Sequence, residues 1–291
     1  MKLLHYKNGN NICLAFKTES GVFDAAKINE LCGKKLPVTL AEVMEKKAAK
    51  EIEAALAHID AAVLAKAAVD ESAIEFAPAV PNPGKILCIG LNYYAHGSEI
   101  KMNIPKTPTL FSKFNTALAA HNEAVCLPEK AERFDYEAEL VIVIGEKCKN
   151  VSREDALSKV FGYTAGNDFS ARDLQMLTGQ WLIGKSCDGF APVGPYIVPA
   201  DGIDPQKLDI ACRVNGVTVQ SSNTENMIFD CAEIVSYISQ YMTLEAGDII
   251  FTGTPSGVIL GKPEEERVWL KASDEVEIII EGIGVLKNKL C

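Results

Sequence analysis

Two acidic residues at strand spacing are the first sign of chemistry in this chain. In the run Phe134-Asp135-Tyr136-Glu137-Ala138-Glu139-Leu140-Val141-Ile142-Val143-Ile144, Glu137 and Glu139 share a face if the segment is extended, because side chains alternate along a strand. Adjacent carboxylates at the head of an apolar strand repel, and water, a shared proton or a cation must compensate. Oxygen ligands suit a hard divalent cation such as Mg2+; taken alone, the pair also reads as a solvated strand end. Asp168, in Gly166-Asn167-Asp168-Phe169-Ser170, stands between a strand-like and a helical segment. By itself it reads as a helix N-cap. Beside the glutamates it completes a triad of oxygen donors.

Three further segments carry polar groups that such a centre can use. Cys88-Ile89-Gly90-Leu91-Asn92-Tyr93-Tyr94-Ala95-His96-Gly97-Ser98-Glu99 runs from a strand into a polar turn. On a helical turn, residues three apart meet, so Glu99 can orient the His96 imidazole and raise its basicity; a surface His beside a surface Glu is the equal alternative. Gly179-Gln180-Trp181-Leu182-Ile183-Gly184-Lys185-Ser186 matches the phosphate-loop pattern formally. Its loop positions are bulky, and the strand–loop–helix context is missing, so that reading is rejected. Lys185 is left as a cation near a site or an ordinary surface lysine. Finally, Ile249-Ile250-Phe251-Thr252-Gly253-Thr254-Pro255-Ser256-Gly257 ends a strand in a turn whose N–H groups and hydroxyls suit a carboxylate, or is a tight turn with no ligand.

The elements that must position these groups follow from patterning. Residues 2–6 and 11–16 read as strands around Asn8-Gly9-Asn10. Residues 40–69 are rich in helix formers, with Thr39 and Glu42 at capping-box spacing. Pro78, Pro81 and Pro83 mark a connection. This predicts a small N-terminal α+β domain over residues 1–78 and a larger, mainly β domain over 79–291. The larger one reads as strands near 85–90, 138–144, 208–214, 217–220, 248–252, 267–271 and 275–281. Helices are expected near 152–159, 170–177 and 230–241. Many short strands with Gly and Pro turns favour a barrel or sandwich-like core.

With 48% hydrophobic and 23% charged residues, the 291-residue chain can bury a core. A net charge of −10 argues against a nucleic-acid surface. No apolar run reaches membrane-spanning length, and the N-terminus lacks a signal-peptide core. Nine cysteines at irregular spacing, without Cys-x-x-Cys, predict free thiols rather than a disulfide framework or thiolate zinc site. Free thiols fit a cytoplasmic location.

In this order and spacing, the segments IGLNYYAHGSE, DYEAELVIVIG, GYTAGNDFSARDLQ, GKSCDGFAPVGP and FTGTPSGV resemble the fumarylacetoacetate hydrolase family. The resemblance covers about residues 80–290. It implies a mixed β-sandwich or β-roll catalytic domain preceded by the small α+β domain, a homodimer, and Mg2+ or Mn2+ as cofactor. It implies Glu137, Glu139 and Asp168 as metal ligands, and His96 and Glu99 as a general-base dyad. Lys185 would contact developing negative charge, and Thr254 would lie near the substrate carboxylate. Arg172 and Gln175 are further substrate-side groups. Leu91 stands where some members, notably acylpyruvate hydrolases, have Arg.

The expected activity is hydrolysis of a C–C bond in an acylpyruvate-type 2,4-dioxo acid through a metal-bound enolate. Isomerisation of a 2-hydroxyhepta-2,4-diene-1,7-dioate and decarboxylation or tautomerisation of oxaloacetate are the alternatives, and a metal-binding scaffold without catalysis is the reading from another class. Residues 97–106 are expected to act as a lid that brings Glu99 in when the small oxo-acid substrate binds.

Overall fold

A computed structural model describes residues 1–99 and 105–291. Its centre is the strand Ala138–Ile144, buried at every position. Leu140, Ile142 and Ile144 enter one hydrophobic cluster, whereas Val141 and Val143 enter another on the opposite face. An uninterrupted apolar run is what a strand covered on both sides requires. On one side it pairs antiparallel with Val160–Asn167, on the other with Ile249–Phe251. The latter runs parallel to Ile86–Gly90, which pairs antiparallel with Thr109–Lys113.

The same sheet continues into the first eighty residues. Ala191–Pro199 pairs with Val160–Asn167 and, through Leu3↔Ile197, with Lys2–Asn8. Lys2–Asn8 and Asn11–Thr18 form the expected hairpin, with Gly9 at φ 59° in its turn. A second sheet orders Val217–Asn223, Asp209–Val214, Glu275–Ile280 and Gly284–Lys289. It packs across Ala138–Ile144 and Val160–Asn167. Two β layers with peripheral helices give the expected mixed α+β, strand-rich architecture.

Local signals set most of the boundaries. The Thr39 hydroxyl accepts from Glu42 N–H, and Glu42 Oε2 accepts from Val38 N–H one residue before the cap, a variant of the capping box that opens the helix Leu40–Glu45. The helical stretch to residue 69 is three helices, the others being Ala49–Ala57 and Ala61–Ala67. Asp230 caps Cys231–Tyr241 by accepting from Glu233 N–H. Two expectations differ. Residues 267–271 form no strand; only Leu270 makes a bridge, to Phe134. Residues 170–177 divide into the short strand Ser170–Ala171 and the helix Arg172–Gln175, because Ser170 and Ala171 pair with Phe134–Asp135.

The cysteine expectation is corrected at one pair. Cys126 and Cys291 form a disulfide, with Cα atoms 4.3 Å apart. Val125 and Leu290 bridge in parallel, and Cys291 N–H donates to Val125 O while Leu127 N–H donates to Cys291 O. That ladder lays the C-terminal residue beside Cys126, a juxtaposition invisible across 165 positions of sequence. The other seven cysteines are free thiols, and Cys88, Cys148, Cys212 and Cys231 are buried.

Candidate metal centre

The register of two central strands builds the carboxylate triad. Ala138 faces Asn167 and Glu139 faces Gly166, so the chain leaving one strand at Asp168 sits beside the chain entering the other at Glu137. Asp168 N–H donates to Glu137 O, and Asn167 Oδ1 accepts from Glu137 N–H, both at 3.0 Å. Side-chain oxygens of Glu137, Glu139 and Asp168 then lie within 4.8 Å of one another, all three residues buried. The sequence expectation of a common face holds.

Each carboxylate has a different neighbourhood. Asp168 is flanked by two lysines. Lys113 Nζ lies 2.5 Å from Oδ1, and Lys185 Nζ donates to Oδ2 at 2.9 Å. Lys185 also donates to Glu137 Oε2 at 2.9 Å, and Arg172 Nη2 is 2.7 Å from Glu137 Oε1. Burial alone would raise the Glu137 pKa, but Lys185 and Arg172 outweigh it and hold the carboxyl far below its usual range. Glu139 has no cationic side chain in ion-pair range among the described residues. Its Oε2 accepts only from Gly253 N–H, at 2.6 Å. Burial, reinforced by the charges of Asp168 and Glu137, pushes its pKa well up. Gly253 can present that N–H because it sits at φ 97° and a Cβ there would lie 2.6 Å from Asn92 Cβ.

This electrostatic asymmetry is the test of fit for a cation. The buried cluster holds four carboxylates, Asp135 included, against Lys113, Lys185 and Arg172. One negative charge is left over, and it falls on Glu139. Three hard oxygen donors and an uncompensated buried charge suit a divalent ion such as Mg2+ or Mn2+. When bound there, the ion would bring the cluster to net +1, favourable for an anionic substrate.

Several residues of this cluster escaped the sequence reading. Lys113 is fully buried at the end of Thr109–Lys113, and its ammonium also donates to Phe169 O and Phe190 O. Asp135 accepts from Ile259 N–H, Leu260 N–H and the Arg172 guanidinium, tying the strand head to the turn after Gly257. Asn92 donates to Phe229 O and Thr252 O and accepts from Phe229 N–H, so a buried amide is satisfied while it locks the turn after Gly90. Leu91, in that turn, has φ 60°, a region costly for a branched side chain and found where a site over-determines the backbone. A buried lysine or asparagine looks like a surface one in sequence; the only available signal was the length of the apolar context around it.

That turn leads into the helix Tyr94–Glu99. His96 is buried and its ring lines the cleft above the triad. Its Nδ1 lies 3.5 Å from Glu99 Oε2, and both Glu99 oxygens accept from Gly257 N–H. His96 and Glu99 are thus neighbours, with Glu99 held by Gly257, while His96 Nδ1 makes no hydrogen bond among the described residues. Of the expected lid, residues 97–106, positions 100–104 lie outside the described residues. The cleft also reaches Gln175, Lys185 and Thr254. Thr254 Oγ1 accepts from Gln220 Nε2, which anchors the turn from the second sheet. Arg172 reaches the cleft too, but its guanidinium is engaged by Asp135, Glu137 and Gln175 Oε1. The remaining lining is apolar, with Leu91, Phe111, Trp181 and Leu260. Among the described residues, no helix is long and apolar enough to cross a membrane.

A buried triad of oxygen donors able to hold a divalent ion, with a histidine and a carboxylate beside it in a cleft, thus sits on a two-layer β framework. The family described as fumarylacetoacetate (FAA) hydrolase, C-terminal, matches residues 85–291, and the chain belongs to that family. It is 43% identical over 224 residues to the rat mitochondrial oxaloacetate tautomerase Fahd2a, covering 76% of this chain and 71% of that one. Among solved structures it resembles 5-carboxymethyl-2-hydroxymuconate delta-isomerase from Mycobacterium smegmatis, with TM-score 0.75, 30% identity and 100% of this chain covered against 99% of that one. It also resembles maleylpyruvate hydrolase from Sphingobium sp. SYK-6 in complex with manganese(II) and pyruvate, with TM-score 0.78, 29% identity and 100% of this chain covered against 98% of that one.

Proposed function

We propose that this chain is a keto–enol tautomerase of oxaloacetate, dependent on Mg2+ or Mn2+. The observation that carries the reading is the His96–Glu99 pair, poised beside the buried triad in a chain 43% identical to a tautomerase of that substrate. A cation held by Glu137, Glu139 and Asp168 supplies Lewis-acid polarisation of the carbonyl. The protein's own groups handle the proton. Glu99, pinned by Gly257 N–H, faces Nδ1 of His96 and leaves Nε2 for proton exchange with the substrate. Enol to keto conversion takes a proton from the C2 hydroxyl and delivers one to C3, so atoms balance without water or a co-reactant. Lys185, buried between Glu137 and Asp168, places a fixed positive charge near the oxygen that becomes negative on the way.

The test is the decay of enol absorbance when oxaloacetate is added to protein with Mg2+. Acceleration over buffer, lost by about 10²–10⁴-fold in His96→Ala, supports the reading. Acceleration equal in His96→Ala would count against the proton-transfer role, and none in the wild-type protein would reject it.

A second reading, hydrolysis of acylpyruvates, is favoured by the apolar side of the cleft at Leu91, Phe111, Trp181 and Leu260. In it His96 would take its proton from water, and loss of diketone absorbance with pyruvate as product would identify it. A homodimer is the assembly proposed, supported by Met176, Leu177 and Ile183, which expose 54%, 69% and 63% of their surface beside the cleft. Light scattering should give twice the 31.5 kDa chain mass.

A further inference from the structure

Two cavities share two aromatic side chains. Phe111 and Trp181 line the cleft above the carboxylates. The same two residues line a neighbouring space, partly open to solvent and completed by Leu87, Leu110, Ser112, Gln180, Leu182 and Met242. The rings pack edge to face, with centroids 5.4 Å apart. Trp181 is seated on the backbone at Gly90, where a Cβ would lie 2.7 Å from Trp181 Cζ3. Phe111 in turn lies under the Lys185 ammonium, 5.3 Å from its ring centroid. The pair therefore separates the charged, reacting end of the cleft from a more open space whose walls include the side chains of Leu87, Leu110 and Met242.

We propose that Trp181 is a specificity-determining residue. Its indole ends the tail of the oxo-acid that the cleft accepts, and restricts the substrate class to 2-oxo acids with short chains. The cavity beyond is the room that a longer unbranched alkyl tail occupies once the indole is removed. This rests on the reading of the cleft as the oxo-acid site. Shape sets the selection, because an aromatic wall held on both sides cannot yield without losing its packing. Where the wall is open, each methylene that leaves water adds about fourfold to affinity, the equivalent of ~0.8 kcal/mol.

Calorimetric titration of the Mg2+-loaded protein with unbranched 2-oxo acids, from pyruvate to 2-oxooctanoate, tests the proposal. Wild-type affinity should peak at a short tail and fall by about tenfold or more beyond it. In Trp181→Ala the rise should continue at about fourfold per methylene, and Trp181→Phe should fall between. Gly90→Ala, whose added Cβ displaces the indole, should shift the tail-length optimum. Those two variants also read the wall if Trp181→Ala does not fold. An identical tail-length optimum in the wild type and the folded variants would overturn the wall and leave the oxo-acid site standing. Failure of the wild-type protein to bind pyruvate or any homologue would overturn both.

Discussion

Cation binding should expel a proton from Glu139. The cluster leaves one negative charge uncompensated, and Glu139 is the carboxylate with only a backbone N–H for support. Two like charges within 4.8 Å, at the effective dielectric of a protein site, repel by about 3 kcal/mol. Both neighbours therefore push the Glu139 pKa up, and Lys185 gives part of that back. With burial added, the Glu139 carboxyl lies well above its usual range, so protons compete with a cation for it. Cation binding then requires the charged form. Below that raised pKa, affinity should climb by about tenfold per pH unit as pH rises, and about one proton should leave per cation bound. Calorimetry with Mn2+ across a pH series, in two buffers of different ionisation enthalpy at each pH, reads this directly. The apparent heats should differ by close to one buffer protonation. Glu139→Gln should remove the proton release and most of the affinity. Equal heats in both buffers, with tight binding, would refute the assignment of the uncompensated charge.

Three other outcomes follow from single contacts. Lys113→Met leaves Asp168 Oδ1 buried without its ammonium partner and should lower stability by about 3–5 kcal/mol, with Mg2+ restoring more stability than it adds to the wild type; melting with and without Mg2+ checks this. A Cβ at Gly261 would lie 2.2 Å from Glu99 Cδ, so Gly261→Ala should displace Glu99 from His96 and cut turnover by about tenfold or more while cation affinity holds; turnover and calorimetry together decide it. His5, buried with Nδ1 2.9 Å from Ala79 O, has its pKa lowered by burial to about 4. Between pH 6.5 and that value the unfolded chain binds a proton that the folded one refuses, so stability should fall as pH drops through the window, by about 3 kcal/mol in full. Urea melts at pH 7 and pH 4.5 should show a smaller acid loss in His5→Gln, and an equal loss would count against it.

The triad was legible because it obeys a local rule. Glu137 and Glu139 are two apart on a strand whose apolar run declares itself, and the third carboxylate lies just beyond the next strand. His96 and Glu99 were legible for the same reason, at helical spacing. What balances them was not. Lys113 meets Asp168 across 55 positions only because Thr109–Lys113 pairs with Ile86–Gly90 at the sheet edge. Asp135 and Arg172 meet because two two-residue strands pair, a contact no periodicity announces. Arg172 illustrates the consequence. Its charge and place near the site suggested a substrate group, whereas its guanidinium is turned to two carboxylates. Likewise Cys126 and Cys291 are joined by a single parallel bridge at the chain end. Composition favoured free thiols, and non-local pairing decided otherwise.

The central claim is a divalent ion held by Glu137, Glu139 and Asp168. A crystal of the protein soaked in Mn2+ and measured for anomalous scattering tests it most directly. The account predicts one strong peak per chain at about 2.1–2.2 Å from an oxygen of each of the three carboxylates, absent in Glu139→Gln. A peak elsewhere, or none with the triad still paired to Lys113 and Lys185 alone, would contradict it.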